Sequence, residues 1–424
     1  MVQSVLVQRF SSAHQTDRLS TKTKAVLDNH ALSNIPSGGT MLPATTKIYS
    51  ADDHLIEPAN LWTDRVPAAY RDRAPKIIEI DGREAWTYED RLYFLTMGSC
   101  RPRDGFSESG YPPAPGTARY DEIRPGCYDP TERLSDMDID GVWGQLCFPN
   151  YARFAGHRFY LDIDDPDLAL VCLKAYNNYL LEDWCGAAPD RLFGAAILPL
   201  NNIEEAVREF ERVADLGAKA IAFSENPTVL GLPSVHTKHW DPLLAISQET
   251  GIPLCTHIGS SSKLVTTSPD APTTVLTTLL GLNSMMAAAD WLLGTALDRF
   301  PKAKIVLSEG GAGWIPYILE RADKGWQDRR LDPDPALGRV YEKSSRPPSQ
   351  VLSEQMYICM VDEYFVKSIL DKLPIDNLMF EGDYPHGDGL WPNNRVYLEK
   401  LLSDVADDAA EKIASANFRR VFNV

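Results

Sequence analysis

The chain has 424 residues, 44% of them apolar and 24% charged, enough for one large core or two modest ones. Its 42 Lys and Arg against 59 Asp and Glu give a formal charge of −17. A surface that acidic repels phosphate backbones and excludes nucleic acid as an expected partner. No uninterrupted apolar run approaches the roughly 18–20 residues that span a bilayer, so no membrane partner is expected. The opening MVQSVLVQRFSS has no long apolar segment of the signal-peptide kind. Seven scattered cysteines without a C-x-x-C pair read as buried, reduced thiols, which points to a cytoplasmic protein.

Residues 1–45 are rich in Ser, Thr, Gln and Asn and break at Ser37-Gly38-Gly39, so a disordered leader is expected, with Met41 as an alternative start. The excess of Arg9, Arg18, Lys22 and Lys24 over Asp17 and Asp28 leaves an organelle transit segment as the other reading.

From residue 46 to 424, strand-length apolar runs alternate with amphipathic stretches. The runs are Lys47–Asp52, Val142–Phe148, Phe193–Leu198, Ala218–Phe223, Pro253–Thr256, Ile305–Leu307, Met356–Met360 and Leu378–Phe380. Helices are expected over Asp167–Leu181, Ile203–Leu216, Trp240–Glu249, Ser284–Arg299, Trp314–Asp328 and Tyr364–Lys372. Eight buried strands, each followed by a helix, predict an α/β fold, a (β/α)8 TIM barrel. A doubly wound sheet would carry a Gly-rich phosphate loop after its first strand, where this chain has ADDHLIEP. Residues 60–131 are too long for an ordinary connection. Asp81-Gly82 predicts a hairpin there, and the whole insertion reads as a cap over the barrel mouth or a subunit contact, with a homodimer as the expected assembly.

In a barrel the chemistry sits at the C-terminal ends of the strands. Those positions hold Asp52 and His54, Glu225, His257, Glu309 and Asp383. Asp52 and His54 are two apart, so both side chains share one face of a strand. Four carboxylates and two imidazoles aimed into one cavity need neutralising, and divalent metal does that best. Six ligands suffice for two ions per chain, of iron, zinc or manganese. Asp136, Asp138, Asp140 and Gly141 imitate a calcium loop, but its twelfth position is Cys147, so the stretch reads as a helix end entering strand two. The glycines of EGGAGW lack the Lys-Ser/Thr of a P-loop and suit a tight strand-to-helix turn. His386 is a candidate for proton transfer beside Asp383, and His239 for the pocket wall.

The segments SADDHLIEPANLW, RLSDMDIDGVWGQLCFP, IPLCTHIGSS, KIVLSEGGAGWIPYILERAD, LMFEGDYPHGDGLWP and ANFRRVF resemble the amidohydrolase-related branch of the amidohydrolase superfamily. That branch includes aminocarboxymuconate-semialdehyde and resorcylate decarboxylases. The resemblance implies metal at the C-terminal face, with the strand-one pair on Asp52 and His54, the strand-five ligand on His257 and the strand-eight aspartate on Asp383. Glu309 stands where a decarboxylase-type member carries a histidine, and Glu225 where dinuclear members have a bridging group. The chain also resembles a diterpenoid hydroxylase of platensimycin/platencin biosynthesis that houses a di-iron oxygenase site in this barrel.

The leading expectation is a metal-dependent hydrolase of a small organic substrate, with Asp383 as general base, Glu309 and His386 assisting, and Trp314, Arg321 and the 259–275 loop contacting substrate. A dinuclear non-haem iron monooxygenase is the alternative and a metal-dependent decarboxylase the third.

Overall fold

The computed structural model describes residues 42–103, 116–340, 342–360 and 362–424. The expectations for residues 1–41, including the leader and Met41, and for residues 104–115 of the proposed cap lie outside them.

Eight parallel strands form the barrel: β1 (Ile48–Leu55), β5 (Val142–Pro149), β6 (Leu192–Ala196), β7 (Ala220–Ser224), β8 (Leu254–His257), β9 (Ile305–Ser308), β10 (Met356–Met360) and β11 (Leu378–Phe380). They pair in chain order from β1 to β11. Just beyond β11 the chain returns to β1, where Asp383 N–H donates to Asp52 C=O at 2.9 Å and His54 N–H to Tyr384 C=O at 2.6 Å. These strands are almost wholly buried, as two-sided cover requires of parallel strands. The β1–β5 register shifts between Ser50 and Asp53, a bulge that re-aims the end of β1.

Outside the barrel run α1 (Pro130–Asp140), α2 (Pro166–Asn178), α3 (Ile203–Asp215), α4 (Asp241–Thr250), α5 (Gly281–Leu293), α6 (Ile315–Gln327), α7 (Pro348–Gln355) and α8 (Asn394–Leu401). Their starts follow local chemistry. Asp129 and Asp165 accept from the first free N–H groups of α1 and α2, each with a Pro at its first position, and Asn202 does the same for α3.

Two expected helices are shorter than their apolar period. The Ser284–Arg299 stretch breaks at Gly294 and resumes as Ala296–Arg299, and Tyr364–Lys372 is helical only over Tyr364–Lys367 before a 3₁₀ turn. The 21-residue stretch Thr273–Leu293, interrupted by Thr, Asn, Ser and Asp, is by length and composition alone long and apolar enough to cross a membrane. Here that stretch is two helices, Thr273–Thr278 and α5, and Ala287, Ala288, Trp291 and Leu292 of α5 are buried in the core.

Within the insertion between β1 and β5, β2 (Lys76–Ile80), β3 (Arg83–Tyr88) and β4 (Arg91–Phe94) form an antiparallel sheet. The β2–β3 turn is Asp81-Gly82, with φ of 50° and 73°, the left-handed pair that a two-residue hairpin demands. Trp86 and Tyr88 of β3 pack on Trp62, Tyr151 and Phe159. Arg101 donates to Gly389 C=O at 2.5 Å, so the insertion reaches the loop that follows β11.

Candidate metal centre and active site

The inward face of β1 delivers Asp52 and His54, and β8 ends in His257. The two imidazole Nε2 atoms lie 3.0 Å apart. Asp52 Oδ2 is 3.2 Å from His257 Nε2 and Asp52 Oδ1 is 3.5 Å from His54 Nε2. Asp383, one step past the barrel closure, places Oδ1 at 3.3 Å from His54 Nε2. All four side chains are buried.

His257 Nδ1 meets the Ile258 C=O at 2.6 Å. A carbonyl only accepts, so Nδ1 carries the proton and Nε2 offers its lone pair to the centre. The carboxylate oxygens of Asp52 and Asp383 make no well-formed hydrogen bond, although imidazole nitrogens lie 3.0–3.5 Å from them. Buried unpaired acceptors of this kind are costly, more so when charged. A cation shared with the two imidazole Nε2 atoms removes that cost, so the residues present fit a divalent metal.

Electrostatics agree. Burial, then Asp383, pushes the Asp52 carboxyl well above its ordinary range, and burial holds His54 well below its own. Burial also works to raise Asp383, but the His386 and His54 imidazoles outweigh it and hold that carboxylate low. Burial lowers His386, yet Asp383 beside it brings the net shift upward.

Glu309 follows β9 and lies 3.5 Å from His257 Nε2. His386 Nδ1 is 3.0 Å from Asp383 Oδ1, and its ring stacks on His54 at 3.8 Å. Ligand atoms of Glu309, Asp383, His386 and Asp388 also fall within 4.8 Å of one another. Glu309 and Asp383 both adopt left-handed φ, 56° and 53°, a conformation non-glycine residues keep only where surroundings impose it.

Glu225 does not join this set. Its carboxylate accepts from Ser260 Oγ, from Ser261 Oγ at 2.7 Å and from Asn283 Nδ2 at 3.2 Å, so three of its roughly four acceptor sites are held by the loop after β8 and by α5. Of the six residues expected as ligands, Asp52, His54, His257 and Asp383 converge, Glu309 stands beside them at the mouth, and Glu225 stands apart. Arg321 sits seven residues into α6 and is exposed, about 10 Å along the helix from the mouth at 1.5 Å per residue. Trp314 Nε1 donates to Gly310 C=O at 2.8 Å, which keeps the indole at the mouth beside Glu309. His239 rests edge-on against Trp240 at 4.6 Å and contacts none of the four donors.

Several residues that support the site were not picked out from the sequence. Arg133 of α1 is buried and donates to His54 C=O at 2.6 Å and to Gln145 Oε1 at 3.1 Å. Gln145 in turn donates to Asp53 Oδ1 at 3.1 Å. Glu381 is buried and accepts from the Glu309 N–H at 2.9 Å; its i, i+2 spacing from Asp383 was the available signal. Phe154 lays its ring 4.1 Å from His257 and 4.8 Å from His54. The calcium-like run resolves as expected into the end of α1, with Gly141 at φ 72° as its cap. Asp136 and Asp140 instead anchor the loop after β11, accepting from Tyr384 Oη at 2.5 Å and Asn394 Nδ2 at 2.7 Å. In EGGAGW, Gly311 has φ 67°, and Glu363 accepts from the Ala312 and Gly313 N–H groups at 2.6 and 3.2 Å, fixing the turn into α6.

A model of the amidohydrolase family matches residues 100–424. The chain belongs to the amidohydrolase family. A gamma-resorcylate decarboxylase of Rhizobium radiobacter is 23% identical over 316 residues, covering 69% of this chain and 86% of that protein. An amidohydrolase from Mycobacterium avium subsp. paratuberculosis superposes with a TM-score of 0.67 at 19% identity, over 89% of this chain and 99% of the other. The 5-carboxyvanillate decarboxylase of Novosphingobium aromaticivorans, crystallised with manganese and 4-hydroxy-3-methoxy-5-nitrobenzoic acid, superposes at 0.58 with 15% identity, over 91% and 98%. At these identities the structures speak for the fold, which is the expected amidohydrolase barrel.

Proposed function

We propose that this protein is a metal-dependent decarboxylase of a small aromatic carboxylic acid bearing a ring hydroxyl. The observation that carries the reading is the convergence of the Nε2 atoms of His54 and His257 with the buried carboxylates of Asp52 and Asp383, 3.0–3.5 Å apart, at the barrel mouth. Its relatives among the decarboxylases of gamma-resorcylate and 5-carboxyvanillate support carboxyl loss over the hydrolysis expected first. Nothing in the donor set or the relatives favours the iron monooxygenase.

Asp52, His54, His257 and Asp383 would hold one divalent cation, manganese or zinc. When bound, the cation supplies Lewis-acid charge that fixes the acid's oxygens and stabilises negative charge. The chain's own residues do the rest. Phe154 walls the donor set with an apolar ring and excludes water from it. His386 orients Asp383 through the 3.0 Å contact. Glu309, at the mouth with its side chain 13% exposed, carries the proton. Replacing a ring C–CO₂⁻ by C–H needs one proton delivered to that carbon as the C–C bond breaks and CO₂ leaves. Glu309 Oε2 delivers it and is reprotonated from solvent.

Hydrolysis is kept as a second reading on one observation, the Glu309 carboxylate at a position where decarboxylase-type relatives carry histidine. The test is CO₂ release from 2,6-dihydroxybenzoate and related hydroxybenzoates by manganese-loaded protein, with and without chelator, beside ester and amide probes. Chelator-sensitive CO₂ is expected. Inert acids with cleaved esters or amides would replace this reading with the hydrolase.

A further inference from the structure

Glu309 stands in a turn that its own residue type does not favour. It follows β9 with φ 56°, a left-handed conformation that a residue with a Cβ adopts only against steric resistance. Neighbours hold the turn on three sides. At its entry the Glu309 N–H donates to Glu381 Oε2 at 2.9 Å. At its exit the Ala312 and Gly313 N–H groups donate to Glu363. Between them Gly310 lies so close to α5 that a Cβ there would meet Ser284 at 2.2 Å.

Of these contacts, the one from Glu381 touches the proposed acid itself. Glu381 directly follows β11, and its N–H donates at 3.1 Å to the C=O of Met360, the last residue of β10. The sheet therefore fixes its backbone. The side chain is wholly buried. Its Oε1 has no hydrogen-bond partner, and among the described residues the Glu309 amide is the one donor its carboxylate meets. Glu381 also falls in none of the ligand-spaced groups built from Asp52, His54, His257, Glu309, Asp383, His386 and Asp388. Burying a carboxylate is unfavourable, and what this one does is hold a single backbone amide.

We propose that Glu381 is a positioning residue for Glu309. Its carboxylate holds the Glu309 amide, keeps the turn left-handed and so keeps the Glu309 side chain at the centre, with Oε2 3.5 Å from His257 Nε2. The inference rests on the decarboxylase reading only for the step Glu309 performs, delivery of a proton to the ring carbon as CO₂ leaves. A reacting group displaced by about 1 Å can lose about 10² in rate, and a buried amide deprived of its acceptor drives such a shift. The acceptor is the working part, so charge at position 381 is dispensable.

The test is the steady-state rate of CO₂ release from the best of the hydroxybenzoates above, by manganese-loaded, full-length protein. Glu381→Met removes the acceptor and should lower kcat by about 10–10² with KM held within about threefold. Glu381→Gln keeps an amide oxygen without the charge and should stay within about threefold of wild type in both. That split, with rescue by Gln, is not what general destabilisation produces. Wild-type kcat in Glu381→Met would overturn the proposal. So would Glu381→Gln as impaired as Glu381→Met, because charge and not the acceptor would then matter. Should Glu381→Met not fold, Glu381→Asp withdraws the acceptor by one methylene and should lower kcat at least about fivefold; an unchanged kcat there would overturn it equally. If wild type releases CO₂ from none of the acids, the decarboxylase reading falls and hydrogen exchange of the Glu309 amide decides the positioning role. Exchange at least about tenfold faster in Glu381→Met than in wild type and Glu381→Gln keeps that role, and equal rates remove it.

Discussion

Asp383 is bound to Asp52 through the backbone, its N–H donating to the Asp52 C=O at 2.9 Å, so the contact that closes the barrel also sets the spacing of two proposed metal donors. Their backbones cannot separate without opening the sheet, and the neighbouring His54–Tyr384 bond at 2.6 Å repeats the constraint. The charge of the site is thereby built into the fold, and metal binding and barrel stability are linked.

Glu225 tests where the donor set ends. With its carboxylate committed to Ser260, Ser261 and Asn283, Glu225→Gln should leave manganese affinity within about threefold and cost about 1–2 kcal/mol in stability from one lost charged hydrogen bond. Metal titration and urea denaturation read the two effects separately. A large loss of metal affinity would return Glu225 to the ligands.

Glu309 is assigned to proton delivery. Glu309→Gln should retain metal and fold, hold KM within a few-fold, and lower kcat by about 10²–10⁴. Full activity in the variant would move the proton to another group.

Arg133 holds the end of β1 from behind, bonded to the His54 carbonyl and Gln145 and flanked by the Tyr384 and Trp184 rings at 4.3 and 4.9 Å. Arg133→Met leaves buried acceptors without donors, and should cost about 2–4 kcal/mol in metal-free protein. Denaturant unfolding measures it, and an unchanged midpoint would reduce Arg133 to filling space.

His157 supplies a pH test away from the metal. Burial, then Arg153 and Arg158, lowers its imidazole to about 3, while Nε2 pairs with Ser262 Oγ at 2.6 Å. Its folded value lies below the ordinary one, so the unfolded chain takes up the proton first and stability falls as pH drops below about 6.5 toward 3. The slope from this one group is about 1.4 kcal/mol per pH unit. His157→Gln should flatten the stability curve between pH 6 and 4 by about 2 kcal/mol; parallel curves for the two proteins would contradict it.

Much of this was legible in the sequence because the eight core strands are continuous apolar runs, and because Asp52, His54, His257 and Asp383 sit at their ends, where a barrel gathers side chains. The hairpin at Asp81-Gly82 was legible from its turn chemistry. The strand-end position of Glu225 does not reveal that Ser260, Ser261 and Asn283 hold its carboxylate apart from the other donors. Arg321 misled because an arginine on α6 carries no mark of how far the helix has run from the mouth. Arg133 and Phe154 were invisible for the opposite reason, since their roles come from tertiary neighbours far off in the chain. The break at Gly294 follows a local signal, since glycine is a poor helix former and ends α5.

The most direct test of the centre is calorimetric titration of manganese into metal-free wild type and into Asp52→Asn and His257→Ala. One ion per chain is expected for wild type, with affinity reduced about a hundredfold or more in either variant. Unchanged binding in both variants, or two ions of similar affinity with one lost in Glu225→Gln, would contradict a single cation held by Asp52, His54, His257 and Asp383.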